Sequence, residues 1–256
     1  MKIVVAIKQV PARDSLLRAD PSARWVREDD LAWEINEPDA YALEEALQLK
    51  DKNGGEVVAL CAGPARASQT IREALAKGAD RAIHVLDDQV DKLDTLGVAR
   101  VLAKAIGSEA PDLVLTGLQS DDLGYGQTGV VLAEVLGYVH STIIMHVEVS
   151  SGGIRVKREL ENGWFQNIGM PLPAVLTIQS GIGKLRYATL MGIKKAKAKE
   201  VKQLSLADLG AKAEEAIRIS RVYLPEKSRQ TQMLHGSSGE VAKQLVEKLR
   251  FEVRVI

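Results

Sequence analysis

The sequence is poor in cysteine, poor in aromatic residues and balanced in charge, and each shortage closes a class of function. A single cysteine, Cys61, can form no internal disulfide and cannot by itself hold an iron–sulfur cluster. It follows the apolar run Val57-Val58-Ala59-Leu60, which predicts a buried core thiol. Aromatic residues make up 4% of the chain, too few for a platform on which bases stack. Lys plus Arg and Asp plus Glu both number 34, so no global field favours nucleic acid or an anionic membrane. No apolar run approaches the roughly 20 residues that a membrane-spanning helix needs. A first strand beginning at Lys2 leaves no space for a targeting peptide, so the expectation is a cytoplasmic protein or a mature form.

Catalytic motifs are missing as well. His84, His140, His146 and His235 show no metal-ligand spacing. Neither a G-x-S-x-G elbow nor a phosphate-binding G-x-x-x-x-G-K-[ST] loop occurs. His84 falls in a strand pattern and is expected to be a satisfied imidazole. The acidic pairs Asp29-Asp30, Glu44-Glu45 and Asp87-Asp88 fall on polar faces or turns and read as solvated charge. Asp121-Asp122 differs in lying within a glycine-containing loop, where it could hydrogen-bond ribose or hydroxyl groups. No general base faces a nucleophile, and the expectation is a protein without its own catalytic constellation.

What is present is an alternation of apolar runs and amphipathic helices. Ile3–Ile7, Val57–Cys61, Ala82–Leu86 and Leu113–Thr116 read as buried strands. Asn36 caps a helix that has Pro38 in its first turn and Gly54-Gly55 beyond its end. Its apolar stripe comprises Tyr41, Leu43, Ala46, Leu47 and Leu49. Further helices are predicted over about Ala67–Lys77, about Thr95–Ala105 and from Thr128 to Gly137. The fold class is therefore α/β, a Rossmann-like, mostly parallel sheet flanked by helices. After Gly137 the pattern changes to short strands, Val147–Val149, Ile154–Lys157 and Ala174–Ile178, which predict an antiparallel extension. From Tyr187 the chain turns basic, then Leu206–Ile219 resumes a weak helical pattern. A polar linker, Pro225–Gly239, leads to a lone helix over about Glu240–Leu249, which must dock on this chain or on a partner.

The stretch from Gly117 to Gly129 carries the strongest local chemistry. It leads from a strand into a helix N-terminus, where free N–H groups and the helix dipole favour a phosphate. Glycines permit close backbone approach, and Thr128 can cap the helix and reach a phosphate oxygen. Gly124, Gly126 and Gly129 match G-x-G-x-x-G, but that fingerprint belongs after the first strand and here it follows the fourth. A turn without ligand is an equal alternative for the loop alone. Ligands in parallel-sheet proteins bind beyond the carboxyl ends of the strands. That rule brings Ala6, Ala62 with Gly63-Pro64, and Asn36–Asp39 to the same edge. Singly, Asn36 is an ordinary cap and Gly63-Pro64 an ordinary turn; their convergence favours a binding site.

Residues 155–178, RVKRELENGWFQNIGMPLPAVLTI, and residues 186–200, RYATLMGIKKAKAKE, complete the pattern. Together with the opening KIVVAIKQVP, they resemble the beta (small) subunit of electron transfer flavoproteins, over nearly the whole chain. The resemblance implies that AMP is held here by a polar loop ending Gln127-Thr128-Gly129, with Gly117, Gln119 and Asp122 also matching. Leu118, Ser120, Asp121, Leu123, Gly124, Tyr125 and Gly126 belong to the same loop, Gly126 standing where some members have Asn. Ala6, Asn36, Glu37, Pro38, Asp39 and Ala62 complete the implied nucleotide site.

FAD is implied to lie mainly in an alpha subunit, with Glu159 facing its mobile domain and Arg13, where many members have an aromatic residue, near the flavin. A strand-end salt bridge is the equal alternative for Glu159. Residues 1–200 would be the nucleotide-binding domain, with a partner-recognition loop near 178–200. Residues 201–256 would be an arm and helix docking on the alpha subunit, packing from Ser237 to Leu249. Leu190 is implied as the anchor that grips dehydrogenases, with Ile193 beside it and Lys195 among the rim lysines; Met191 replaces a proline of some members. The alternative is a core Leu190 with solvated lysines. Implied partners are acyl-CoA or other flavin dehydrogenases as donors and a quinone oxidoreductase-like acceptor.

Two other classes compete, a stand-alone adenine-nucleotide regulator of the universal-stress type and, disfavoured by the displaced glycines, a nicotinamide-dependent dehydrogenase. Some flavoprotein relatives, including electron-bifurcating forms, hold a second FAD in place of AMP, and their loop tends to read Asp-Thr-Ala-Gln-Val-Gly. This chain reads Gly-Tyr-Gly-Gln-Thr-Gly, so AMP is expected.

Overall fold

Ile3, Val4 and Val5 are all buried, so the first strand is apolar on both faces and lies inside a sheet rather than on its surface. The computed structural model describes residues 1–225 and 231–255. In chain order the elements are β1 (Lys2–Ala6), β2 (Gln9–Pro11), β3 (Trp33–Ile35), α1 (Glu37–Asn53), β4 (Glu56–Gly63), α2 (Ser68–Lys77) and β5 (Arg81–Leu86). There follow α3 (Thr95–Gly107), β6 (Leu113–Gly117), α4 (Thr128–Leu136), β7 (Val139–Ser150), β8 (Gly153–Glu159), β9 (Phe165–Met170) and β10 (Ala174–Ile178). The chain closes with α5 (Leu190–Ala196), β11 (Val201–Leu204), α6 (Ser238–Glu247) and a π-helical turn, Lys248–Val253.

Nine strands form one sheet in the order β11-β5-β4-β1-β6-β10-β7-β8-β9, while β2 and β3 pair as a separate antiparallel ribbon. Pairing is parallel from β11 through β7 and antiparallel for β7–β8 and β8–β9. A parallel core with an antiparallel extension is observed as expected, but Ala174–Ile178, expected in the extension, is β10 and lies in the core, parallel to both β6 and β7. One face packs Ile3, Val5, Val57, Ala59 and Leu115 with Leu43 and Leu47 of α1 and Ile71 of α2. The other packs Val4, Val58, Leu60 and Val114 with Leu102 and Ile106 of α3 and Leu132 of α4. The chain steps outward from β1 to β4 and β5, then returns to place β6 on the other side of β1. This reversal opens a crevice between the carboxyl ends of β1 and β6, the location ligands favour in open α/β sheets.

Several details differ from the sequence expectation. Strand β7 begins at Val139 rather than Val147, because Ile143 takes φ 58° and a register shift between Ile144 and His146 breaks the alternation. Strand β9 has no counterpart in the sequence reading, since only Met170 of its six residues is buried and it carries no buried alternation. Residues 206–219 are not a helix. A turn over 206–210 ends at Gly210 (φ 55°), and the chain beyond is pinned by Asp94, whose Oδ2 accepts the N–H groups of Ala216 and Ile217 at 2.7 and 2.8 Å. Val201–Leu204 pairs with β5 and so belongs to the main sheet. Glu44 and Glu45, expected in solvent, are buried on α1. Cys61 is buried as expected.

The chain divides into two compact units, Met1–Arg221 and Val222–Ile256. The second contains α6, whose start is fixed by Ser237, its N–H and Oγ both donating to the Glu240 carboxylate at 2.8 Å. Of the polar linker expected at 225–239, residues 226–230 lie outside the described residues.

Candidate functional site

At the crevice, the chain leaves β1 through Ile7 and Lys8, and leaves β6 at Gly117. The N–H groups there have no complete ladder to join. Asp39, in the first turn of α1, satisfies two of them: Oδ2 accepts from Lys8 N and Oδ1 from Gly117 N, each at 2.8 Å. Burial pushes the Asp39 carboxyl up to about 7, against the opposing pull of those two N–H donors. Residue 117 must be glycine, because a Cβ there would stand 2.5 Å from Asp39 Oδ1 and 2.6 Å from Pro38 Cβ.

The loop after β6 is held by three further residues. Asn36, which is buried, donates from Nδ2 to Gln119 O at 3.0 Å and accepts Asp121 N–H on Oδ1 at 2.9 Å. Lys8 Nζ meets both carboxylate oxygens of Asp122 at 2.7 Å. Burial opposes ionisation of Asp122, but the charge and hydrogen bonds of Lys8, with hydrogen bonds from Ser120 and the Leu123 N–H, together hold the group below the usual carboxylate range. Arg13 pairs with Glu37 and, at 3.3 Å, with Asp121. Gly124 and Gly126 turn the chain with φ 65° and 62°, a left-handed conformation that side-chain-bearing residues resist.

Helix α4 then starts at Thr128. Gln127 occupies the cap position and makes no side-chain capping bond. Thr128 is thus the first helical residue rather than the cap expected from the sequence. The amino end of α4 consequently keeps N–H groups available to a ligand. Gly129 lets this end approach the sheet, as a Cβ would collide with Thr177 and Thr116.

One cleft gathers most of the expected residues. Ala6, Ala62, Asn36 and Asp39 line it, as do Gly117, Leu118, Gln119 and Ser120. Asp122, Leu123, Tyr125, Gly126, Gln127 and Thr128 complete that wall. Glu37, Pro38, Asp121 and Gly124 do not line it; Glu37 and Asp121 engage Arg13 instead. Sequence reasoning missed a second wall. The Arg66 guanidinium stacks 3.8 Å over the Trp33 ring, bonds Gln9 Oε1 at 3.1 Å and pairs with Asp91 at 2.5 Å. The strand-end rule could have found Arg66, just beyond β4. Trp33 lies in a three-residue strand too short to show periodicity.

Comparison with known proteins decides what kind of chain this is. The electron transfer flavoprotein domain profile matches residues 24–209. The electron transfer flavoprotein subunit beta of Methylophilus methylotrophus is 39% identical over 96% of this chain and 97% of its own. The corresponding Bacillus subtilis subunit is 36% identical over 90% and 91%, and the human one 36% over 98% and 97%. The chain belongs to the electron transfer flavoprotein beta-subunit family.

This beta subunit therefore works in flavoprotein electron transport, and the stress-protein and dehydrogenase alternatives fall away. Glu159 is the last residue of β8, paired with Phe165 of β9. Leu190 opens α5 and is 87% exposed, which excludes the core alternative. Ile193 and Lys195 are exposed on the same short helix. Arg13, Glu159 and the α5 residues all lie outside the cleft lining. No cluster of metal-binding side chains occurs among the described residues, and none of their helices is long and apolar enough to cross a membrane.

Proposed function

We propose that this beta subunit holds AMP in the β1–β6 crevice as a structural nucleotide, pairs with an alpha subunit that carries the redox FAD, and presents Leu190 to flavin dehydrogenases. The observation that carries the nucleotide assignment is the uncapped amino end of α4 facing a cleft whose loop is already fixed by Asn36, Asp39 and Lys8. The first N–H groups of α4 and the Thr128 hydroxyl take the phosphate, where the helix dipole favours negative charge. Ala6 and Ala62, with minimal side chains at the strand ends, admit the flat adenine. Asn36 and Asp39 spend their polar atoms on the loop and strand ends, so they shape the site rather than bond the ligand.

FAD, when bound to the partner, supplies the one- and two-electron chemistry. The beta subunit contributes position. Helix α6 places Val241 and Leu245 one turn apart, and Leu249 follows in the π-helical turn, together supplying apolar side chains suited to packing on the alpha subunit. Glu159 and Arg13 face the flavin domain. Exposed Leu190, Met191 and Ile193, rimmed by Lys194, Lys195 and Lys197, form an apolar spot in a basic surround, fit for an acidic-rimmed pocket on acyl-CoA or other flavin dehydrogenases. Electrons then pass to a quinone oxidoreductase-like acceptor.

A second reading has one supporting observation. The cleft continues past the loop to Trp33 and Arg66, room for a ligand longer than AMP, such as a second FAD. Denaturing the purified heterodimer and chromatographing what it releases separates the two. One AMP and one FAD per heterodimer is the expected result; two FAD and no AMP supports the second reading, and a single FAD with no other nucleotide overturns both.

A further inference from the structure

We infer that the Arg186–Glu44 ion pair is the positioning device of the docking segment, fixing the backbone that displays Leu190 before any partner arrives. The inference rests on the docking role proposed above for Leu190.

Glu44 lies on α1 among Leu43, Ala46 and Leu47 and is only 5% exposed. A lone carboxylate there would be costly, and one partner cannot satisfy its lone pairs. Arg186 supplies three bonds at once: its backbone N–H reaches Glu44 Oε2 at 3.1 Å, Nε reaches the same oxygen at 2.8 Å, and an Nη donates to Oε1 at 3.1 Å. Gln48 Nε2 adds a fourth at 3.0 Å, and Arg186 also reaches Asp51 at 2.9 Å. Such a forked pair specifies orientation as well as charge, which a lysine cannot do.

The rest of the segment is tied at two further places. Thr189 Oγ1 accepts Gly192 N–H at 3.0 Å and starts α5, and a Cβ on Gly192 would collide with the Ala76 carbonyl of α2. At the far end Lys199 Nζ donates to Leu75 O at 2.9 Å and to Ala79 O, capping the carboxyl end of α2. Between these ties Tyr187 is 88% exposed and Met191 62%, alongside Leu190. Apolar side chains this exposed do little to order their own backbone, and of α5 only Ala196 is buried in the core. The polar ties do so instead, Arg186 holding the chain directly before Tyr187 and the Thr189–Gly192 bond the turn that carries Leu190. A segment already ordered loses less entropy on docking, and so binds more tightly through the same contacts.

The test uses the intact heterodimer as electron acceptor for a flavin dehydrogenase that reduces the wild-type complex. Arg186→Lys is expected to raise KM for the flavoprotein about tenfold with kcat unchanged, because preorganisation is lost while the contacts are kept. Nucleotide and flavin contents should stay at wild-type values. Amide exchange across residues 187–196 should quicken about tenfold or more, a local opening that a remote structural defect would not confine to this segment. Leu190→Ala should cost less in the Arg186→Lys background than alone, since the anchor is already misplaced. If Leu190→Ala alone raises KM while Arg186→Lys leaves both KM and exchange unchanged, the positioning role is overturned and docking through Leu190 stands. If Leu190→Ala alone has no effect on KM, the docking reading fails and takes the inference with it. Should Arg186→Lys fail to assemble, Glu44→Gln keeps the side-chain size and one acceptor oxygen and takes its place. A raised KM with faster exchange across 187–196 then supports the positioning role, and wild-type values of both overturn it.

Discussion

Asp39 and Gly117 meet edge to edge at the mouth of the sheet: the carboxylate accepts the glycine N–H at 2.8 Å, and there is no room for a Cβ on the glycine. Residue 39 thus joins α1 to both strands that flank the crevice. Gly117→Ala forces Asp39 or Pro38 aside and should destabilise the complex by about 1–3 kcal/mol, the usual range for overpacking a tight site. Urea denaturation of the heterodimer measures the loss, and nucleotide content should fall with it. A midpoint equal to wild type would mean that the contact yields easily.

Asp39 also gives a pH dependence with a definite sign. Its carboxyl is raised from 3.8 to about 7 by burial, so in that interval the folded state binds more protons than the unfolded state. Its contribution to stability is therefore fully present below about pH 4 and declines as pH rises towards 7. Asp39→Asn removes this titration. It also turns an NH₂ group towards an N–H donor, at a cost of about 1–3 kcal/mol for the unmade bond. Denaturation of wild type and variant at pH 5 and pH 7.5 should show the wild-type advantage shrinking at the higher pH. An advantage that grows with pH would contradict the assignment.

Lys8 is the cation that holds Asp122, at 2.7 Å. Lys8→Met leaves that carboxylate without its charge partner, and a hydrogen bond to a charged group is worth about 1.5–3 kcal/mol. The loop should loosen and AMP should dissociate faster, measured as nucleotide retained after gel filtration. Flavin content is expected to hold. Retention equal to wild type would show that Asn36 fixes the loop alone.

Leu190→Ala is expected to cost about 2 kcal/mol or more in dehydrogenase binding, roughly thirtyfold in affinity. Because Leu190 is exposed, the melting temperature should not change. A lower melting temperature together with loss of AMP would place Leu190 in the fold rather than at an interface.

Removing residues 237–256 deletes α6 and should abolish the stable heterodimer, scored by co-purification with a tagged alpha subunit. Full-yield co-purification would show that α6 is not an assembly element.

The parts of this chain that were legible in the sequence are those whose environment repeats along the chain. The runs at 3–7, 57–61, 82–86 and 113–116 are covered on both faces, and their predominantly apolar character, broken only by His84 and Thr116, shows it. Helix ends at Gly54, Gly78 and Gly137 were legible because glycine marks the change of hand. The crevice could be located because strand ends converge there whatever the side chains are. Strand β11 and helix α5 were not visible, being four and seven residues long and held by neighbours remote in sequence. Glu44 looked like solvated charge because its partner, Arg186, is 142 residues away. Lys8 carries no local signal either, since its partner Asp122 is 114 residues away.

The most direct test of the account is the structure of the purified heterodimer with whatever nucleotide it retains. The account predicts AMP in the β1–β6 crevice, its phosphate within hydrogen-bonding distance of the Thr128 hydroxyl and the first N–H groups of α4. An empty crevice, or a nucleotide bound elsewhere on the beta subunit, would contradict it.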